Sequence, residues 1–286
     1  TPSGNFTAAC INASSNLSTP PVGITPTVLV TGGSLQPLPS GVTVNSGSLD
    51  DNFWSNIPIG FTYNFFGQSA TSVFIGSNGT VIVGVPGAVG STSFNFTGPP
   101  QGFPSSANPA STIAVCARDL HMAHGTVRYW TEGFAPTRRF IVQYDSLRTF
   151  TNSCDVSPYS TYGYGYQKAE AVFYETTGII EISVLKATNG PTWATTCSNG
   201  ASNSVKKYIG LQDPTKTIGA TAPNCNTSNV TINANFWNGI TQEITSARAW
   251  RFSPPATYDI AWYAGSGSNL TSLSTILASQ GGSTAS

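Results

Sequence analysis

The sequence predicts an all-β fold, an antiparallel β-sandwich of jelly-roll type, and three observations carry that expectation. Residues 47–85 read as three short strands, 57–66, 73–75 and 80–85, built from aromatic and β-branched residues and nearly free of charge. Two turns separate them, Phe66-Gly67-Gln68-Ser69 and Ser77-Asn78-Gly79. An Asn-Gly pair between β-rich runs marks a hairpin, because both residues tolerate positive φ. Across the rest of the chain helix formers are scarce, with a single Met, while 29 Gly and 19 Pro punctuate runs of Thr, Val, Tyr, Phe and Ile.

Taken in order, the chain divides into an N-terminal extension (1–44), a sandwich domain (45–255) and a short C-terminal segment (256–286). The extension is rich in Ser, Thr, Asn and Pro and holds one strand, Thr27-Val28-Leu29-Val30-Thr31, closed by Gly32-Gly33. A lone strand is not stable in water, so it either pairs within this domain or is donated to another copy. After the aromatic spine, 91–111 is a long Pro/Gly/Ser/Asn loop. Strands follow at 112–117, 127–130 and 139–144, the last with period-2 alternation. Residues 151–165 form a Tyr/Gly/Ser-rich loop. A hairpin, 168–175 with 179–185, turns at Thr176-Thr177-Gly178, and strands at 207–211 and 246–252 close the body, with 213–239 read as loop. Ser253-Pro254-Pro255 breaks the pattern. Beyond it, 258–264 and Ser274-Thr275-Ile276-Leu277 read as the opening strands of a small immunoglobulin-like module that stops before it is complete.

Charged residues are 8% of the 286, and the net charge is zero. That excludes the basic footprint nucleic acid requires and removes the usual electrostatic route to solubility. No apolar run approaches the ~18–20 residues of a membrane helix. No signal peptide is present, which makes Thr1 a candidate mature N-terminus. The five cysteines, Cys10, Cys116, Cys154, Cys197 and Cys225, are widely spaced and contain no Cys-x-x-Cys pair. This suits disulfides in an oxidising compartment better than zinc. Positions on the sandwich suggest Cys154 with Cys197 first and Cys116 with Cys225 second, leaving Cys10 for an intermolecular bond; free buried thiols are the alternative.

Few residues have the makings of chemistry. Asp119, His121 and His124 give the one metal-like spacing. Imidazole and carboxylate would suit zinc, but the plainer reading is a strand-end turn, and no metal or other cofactor is expected. Asp50 and Asp51 could offer oxygen to calcium; more simply, they cap a turn. Glu175 and Glu181 flank a hairpin turn and read as solvated. Tyr159, Tyr162, Tyr164 and Tyr166 with Trp193 could stack on sugar rings or on a subunit, or fold over a core edge. Sequons mark Asn5, Asn12, Asn16, Asn78, Asn95, Asn226, Asn229 and Asn269 as glycosylation candidates.

The order of several short motifs resembles a β-sandwich module found in large secreted surface proteins of Bacteroidota-type bacteria. The matching residues are Asp50-Asp51, Ile57-Pro58-Ile59-Gly60-Phe61-Thr62-Tyr63-Asn64-Phe65-Phe66-Gly67, Ser77-Asn78-Gly79, Gly125-Thr126-Val127-Arg128-Tyr129, Ala135-Pro136-Thr137-Arg138-Arg139-Phe140-Ile141-Val142, Tyr174-Glu175-Thr176-Thr177-Gly178-Ile179-Ile180-Glu181, Ile209-Gly210-Leu211-Gln212 and Arg251-Phe252-Ser253-Pro254-Pro255. The chain departs from that pattern at residues 119–124, where the family has an Asp-rich turn. The resemblance implies a non-catalytic adhesin or filament module followed by immunoglobulin-like repeats, and makes Ser146, in Asp145-Ser146-Leu147, a candidate for O-glycosylation. The expectation is therefore an extracellular, cell-surface structural or adhesive protein, not an enzyme. Its partners would be other copies of itself, joined into a filament by strand exchange through 27–31 and 274–277. The alternative is a carbohydrate-binding module that uses the Tyr-rich loop on surface glycans.

Overall fold

Residues 57–65 alternate strictly between buried and exposed, Ile57, Ile59, Phe61, Tyr63 and Phe65 facing inward and Pro58, Gly60, Thr62 and Asn64 outward. A period of two puts every apolar side chain of this strand on one sheet face. The same logic builds the rest of the protein. The computed structural model describes residues 25–29, 35–37, 39, 43–45, 51–93, 103–122, 125–150, 165–188, 206–222, 243–245, 247–254, 263–264 and 271–272.

The strands are β1 (Thr25–Leu29), β2 (Thr43–Asn45), β3 (Phe53–Phe65), β4 (Gln68–Gly76), β5 (Thr80–Val83), β6 (Thr112–Ala117), β7 (Leu120–His121) and β8 (Thr126–Glu132). They continue with β9 (Arg139–Thr149), β10 (Tyr166–Tyr174), β11 (Ile180–Ala187), β12 (Tyr208–Gln212), β13 (Gly219–Thr221), β14 (Arg248–Ser253), β15 (Tyr263–Ala264) and β16 (Thr271–Ser272). Two antiparallel sheets form the body. The eight-stranded sheet runs β1-β14-β11-β10-β9-β8-β2, with β7 also paired to β9; the six-stranded sheet runs β13-β12-β6-β5-β4-β3. The expected all-β antiparallel sandwich is the fold of this protein.

The chain separates into two compact units, Gly23–Pro254 and a second made of Thr1–Val22 with Pro255–Ser286. In the second, β15 and β16 pair antiparallel, Tyr263 opposite Ser272 and Ala264 opposite Thr271. In the first, the sequence reading placed a boundary after residue 44, but the unit already begins at Gly23 because β1 and β2 are strands of its larger sheet. β1 pairs with β14, Thr25 opposite Ser253 through Leu29 opposite Ala249. Of the two pairings weighed for this segment, the structure has the one within the chain. The other candidate donor, 274–277, lies outside the described residues.

One apolar core fills the space between the sheets. Ile59, Tyr63, Val73, Val81 and Ile113 come from the smaller sheet; Val127, Phe140, Val142, Phe173, Ile182 and Trp250 come from the larger. Fully burying one such side chain stabilises by about 1.5–3 kcal/mol. Aromatic edges lock the layers: the Tyr63 ring lies 5.4 Å from Phe173, which lies 5.6 Å from Phe140. Polar bonds cross as well. The Tyr144 hydroxyl donates to the Thr80 carbonyl at 2.9 Å, the Tyr63 hydroxyl to the Gly178 carbonyl at 2.6 Å, and Thr131 Oγ1 to the Ile59 carbonyl at 2.6 Å.

The turns follow the sequence reading with one difference. Phe66 and Gly67 both take positive φ, +49° and +79°, so the β3–β4 hairpin is the two-residue kind. In the second hairpin only Gly79 does, at +80°. A Cβ on Gly79 would lie 3.0 Å from Ala117 Cα, so this turn packs directly on β6. Phe173→Ala is expected to cost about 3–5 kcal/mol. The check is a fall in the denaturant midpoint at unchanged slope; a shift of only a few tenths of a kcal/mol would mean the Tyr63–Phe173–Phe140 contact does not hold the layers together.

Candidate functional site

The residue types that could carry chemistry sit in three places, and the first is the corner where the chain changes sheets. β6 belongs to the smaller sheet and β7 to the larger, so Arg118 and Asp119 span the crossing. Asn78 pins it. Its Nδ2 donates to Asp51 Oδ1 at 2.8 Å and to the Thr92 carbonyl at 2.9 Å, while its Oδ1 accepts from the Leu120 amide at 2.8 Å. The Arg118 amide donates to the Asn78 carbonyl at 3.1 Å. Asn78 is 0% exposed. Its amide nitrogen has used both hydrogens, so this sequon is not a glycosylation site, and the expectation that it is one is corrected. Asp51 acts as a turn residue at φ +38° that receives Asn78, the plainer of its two readings.

Asp119 is buried, and its carbonyl accepts from the Phe150 amide. His121 lies in β7 with its ring 6.0 Å from that of Phe150. His124 lies outside the described residues. Among the described residues no three His, Cys, Asp or Glu side chains converge as a metal site.

The second place is a buried basic pair that sequence reasoning missed. Arg118 and Lys207 are each 0% exposed, near Cys116. Arg118 Nε donates to Gln167 Oε1 at 3.1 Å and its NH1 to the Thr188 carbonyl at 3.1 Å. Burial, with the Arg118 charge beside it, pushes the Lys207 ammonium down to about 7 despite Glu243 nearby. Burial pushes the Cys116 thiol up, against the opposite pull of Arg118 and Lys207. A raised thiol is unreactive. Cys116 is free and wholly buried in the main core. The expected Cys116–Cys225 bridge is therefore corrected: on this strand, buried at all six positions, the sulfur packs as a small apolar group. Cys10, Cys154, Cys197 and Cys225 lie outside the described residues. An arginine just after β6 and a lysine just before β12 gave no local signal of their meeting.

The third place is the outer face of the larger sheet. Here Arg128 pairs with Asp145 at 2.9 Å and Lys168 with the same carboxylate at 3.1 Å. Burial would raise Asp145, but the bonds from Lys168 and Ser146 and the charge of Arg128 outweigh it and hold the carboxyl below its ordinary value. Glu175 accepts from Arg138 Nε at 2.9 Å and NH2 at 2.5 Å, and this pairing lowers its pKa. Glu181 takes Arg251 Nε at 2.7 Å and the Tyr174 hydroxyl at 2.7 Å. Arg139 pairs with Glu132. Glu175 and Glu181, read as solvated hairpin flanks, are instead held by arginines, Arg138 and Arg251, that the sheet register brings beside them.

Of the remaining candidates, Tyr166 starts β10 half-buried, with Lys186 Nζ 4.9 Å from its ring centre. Tyr159, Tyr162, Tyr164 and Trp193 lie outside the described residues, as do Asn5, Asn12, Asn16, Asn95, Asn226, Asn229 and Asn269. Ser146 is half-buried at φ +60°, and its hydroxyl donates to Asp145 at 2.9 Å.

Two expectations follow. Asn78→Ala leaves the buried Leu120 amide without its acceptor and should cost at least about 1–3 kcal/mol, read by denaturant titration; intact-mass analysis should find residue 78 unmodified. For Lys207, the unfolded chain holds its proton up to about pH 10.5, while the folded chain releases it at about 7. The unfolded state thus binds more protons between these values, so stability rises with pH from about 7 to 10 and is flat below. Lys207→Met should abolish that rise; a rise that persists in the variant assigns it to another group.

Among the described residues no helix is long and apolar enough to cross a membrane. Searches of curated proteins and of solved structures each found no match. A family model described as NIDO related matches residues 27–254, from within β1 to the end of β14. That span takes in both sheets, and the chain belongs to the NIDO-related family, whose nidogen-like, β-rich domains are typical of extracellular proteins.

Proposed function

We propose that this chain is a non-catalytic structural or adhesive domain of a cell-surface protein, and that it works by contact. One observation carries the reading. Asp51, Glu132, Asp145, Glu170, Glu175, Glu181 and Asp213 each accept a hydrogen bond that closes a turn, joins strands or ties down a neighbouring segment. A general acid or base must be poised toward a substrate; these groups are spent on the scaffold. Exposed apolar surface points the same way. Phe134, in the β8–β9 turn, is 87% exposed, and an aromatic left in water at a hairpin tip suits a contact residue.

A second reading is assembly into a filament by strand exchange. It is favoured by the placement of β1 at the edge of its sheet, paired through β14. The same register could be offered to a second copy, and a head-to-tail, non-closing exchange propagates a fibre. Electron microscopy and sedimentation of the protein with and without residues 1–31 distinguish the two. Filaments that vanish on truncation establish assembly through β1. Monomers in both preparations sink the filament and leave the adhesive domain. Hydrolysis of a glycan or peptide panel by the intact protein would overturn the non-catalytic reading.

A further inference from the structure

The outer face of the larger sheet carries a second apolar cluster, away from the main core. Trp130, Ile141 and Val172 are 7%, 0% and 3% exposed, although their strand neighbours Phe140, Val142, Ala171 and Phe173 face the opposite side. Tyr174 packs against them. β1 and β2 occupy opposite edges of the sheet, and residues 35–37 and 39 of the connection between them form a strap.

At the middle of that connection, Gln36 is bonded to the face. Its amide donates to Glu170 Oε2 at 2.9 Å, and its carbonyl accepts from Gln143 Nε2 at 3.2 Å. Gln143 Nε2 also donates to the same Glu170 oxygen at 3.1 Å. Glu170 and Gln143 are cross-strand partners, adjacent to the pair Val172 and Ile141. One carboxyl, 1% exposed, thus holds the strap beside the apolar cluster.

We propose that the Glu170 carboxyl is a pH-sensitive latch that fastens the Gln36 strap over the outer face of the larger sheet. Burial raises the pKa of Glu170; the bonds from Gln36 and Gln143 and the charge of Arg139 on β9 act against it, and Glu132 on β8 acts with it. The other charges on this face are paired: Arg128 on β8 with Asp145, while also donating to Gln143, and Glu181 on β11 with Arg251. Opposite Glu170 on β11 stands Ser183, and the described strap residues, 35–37 and 39, are uncharged. Lifting the strap returns Glu170 to water and to an ordinary carboxyl pKa, so opening releases a proton. The latch is therefore tightest below the ordinary carboxyl pKa and loosens as pH rises through the raised one. The linkage changes the opening constant by up to about tenfold per pH unit within that window. The inference concerns the scaffold and stands whether or not the adhesive reading holds.

The test is amide exchange at Gln36 in the whole protein, corrected for intrinsic exchange, with a parallel carboxyl NMR titration of Glu170. Protection at Gln36 should fall several-fold as pH rises from 4 to 7, and Glu170 should titrate above the ~4.3 of a free glutamate. Glu170→Gln keeps an acceptor for Gln36 and should hold protection constant with pH. Equal pH dependence in the variant, or a Glu170 that titrates at the free value, overturns the proposal. If the variant does not fold, the wild-type titration decides alone.

Discussion

The fold depends on one buried carboxamide. A sandwich needs a point where the chain leaves one sheet and enters the other, and there the ladder bonds of both sheets are interrupted. Every backbone group so released must find a partner away from water. Asn78 provides three bonds at that point, two donated to Asp51 and Thr92 and one accepted from Leu120. Its own carbonyl takes the Arg118 amide, and the Gly79 carbonyl takes that of Val115. A single turn thereby fixes the approach to β3, the segment after β5 and the β6–β7 crossing. Asparagine suits the position because it is both a double donor and an acceptor without charge, and so can be buried at less cost than a carboxylate.

The scarcity of charge has a structural counterpart. Among the described residues, five ion pairs lie on the outer face of the larger sheet or at its hairpin ends. Isolated surface pairs contribute little, but these are half-buried and share partners, as Asp145 does between Arg128 and Lys168. They frame the apolar cluster of Trp130, Ile141 and Val172, and Gln36 is bonded beside it to Glu170 and Gln143. The sheet is thus apolar on both sides: a main core on one face and a smaller cluster on the other. The ionisable groups of these pairs join strands and hairpin ends to one another.

Much of this architecture was legible in the sequence. Alternation over residues 57–65, the Phe66-Gly67 turn, the hairpin at 176–178 and the strands around 112–117 and 139–144 are local patterns, and local patterns survive folding. Strand lengths were underestimated: β4 begins at Gln68 and β9 runs to Thr149, because polar residues inside a ladder carry no periodic signal. The three-residue β13 was read as loop for the same reason.

What the sequence determined alone was the class of fold and its antiparallel layers, both consequences of composition and of a two-residue period. What only tertiary structure decided was which residues meet. Asn78 read as a sequon became a buried hub, Cys116 read as half of a bridge became a free core thiol, and Glu175 and Glu181 read as solvated became ion-paired. Gln36 came to rest on Glu170, 134 residues away. Each of these depends on contacts between segments distant along the chain, and a sequence carries no local trace of a partner that arrives from another strand.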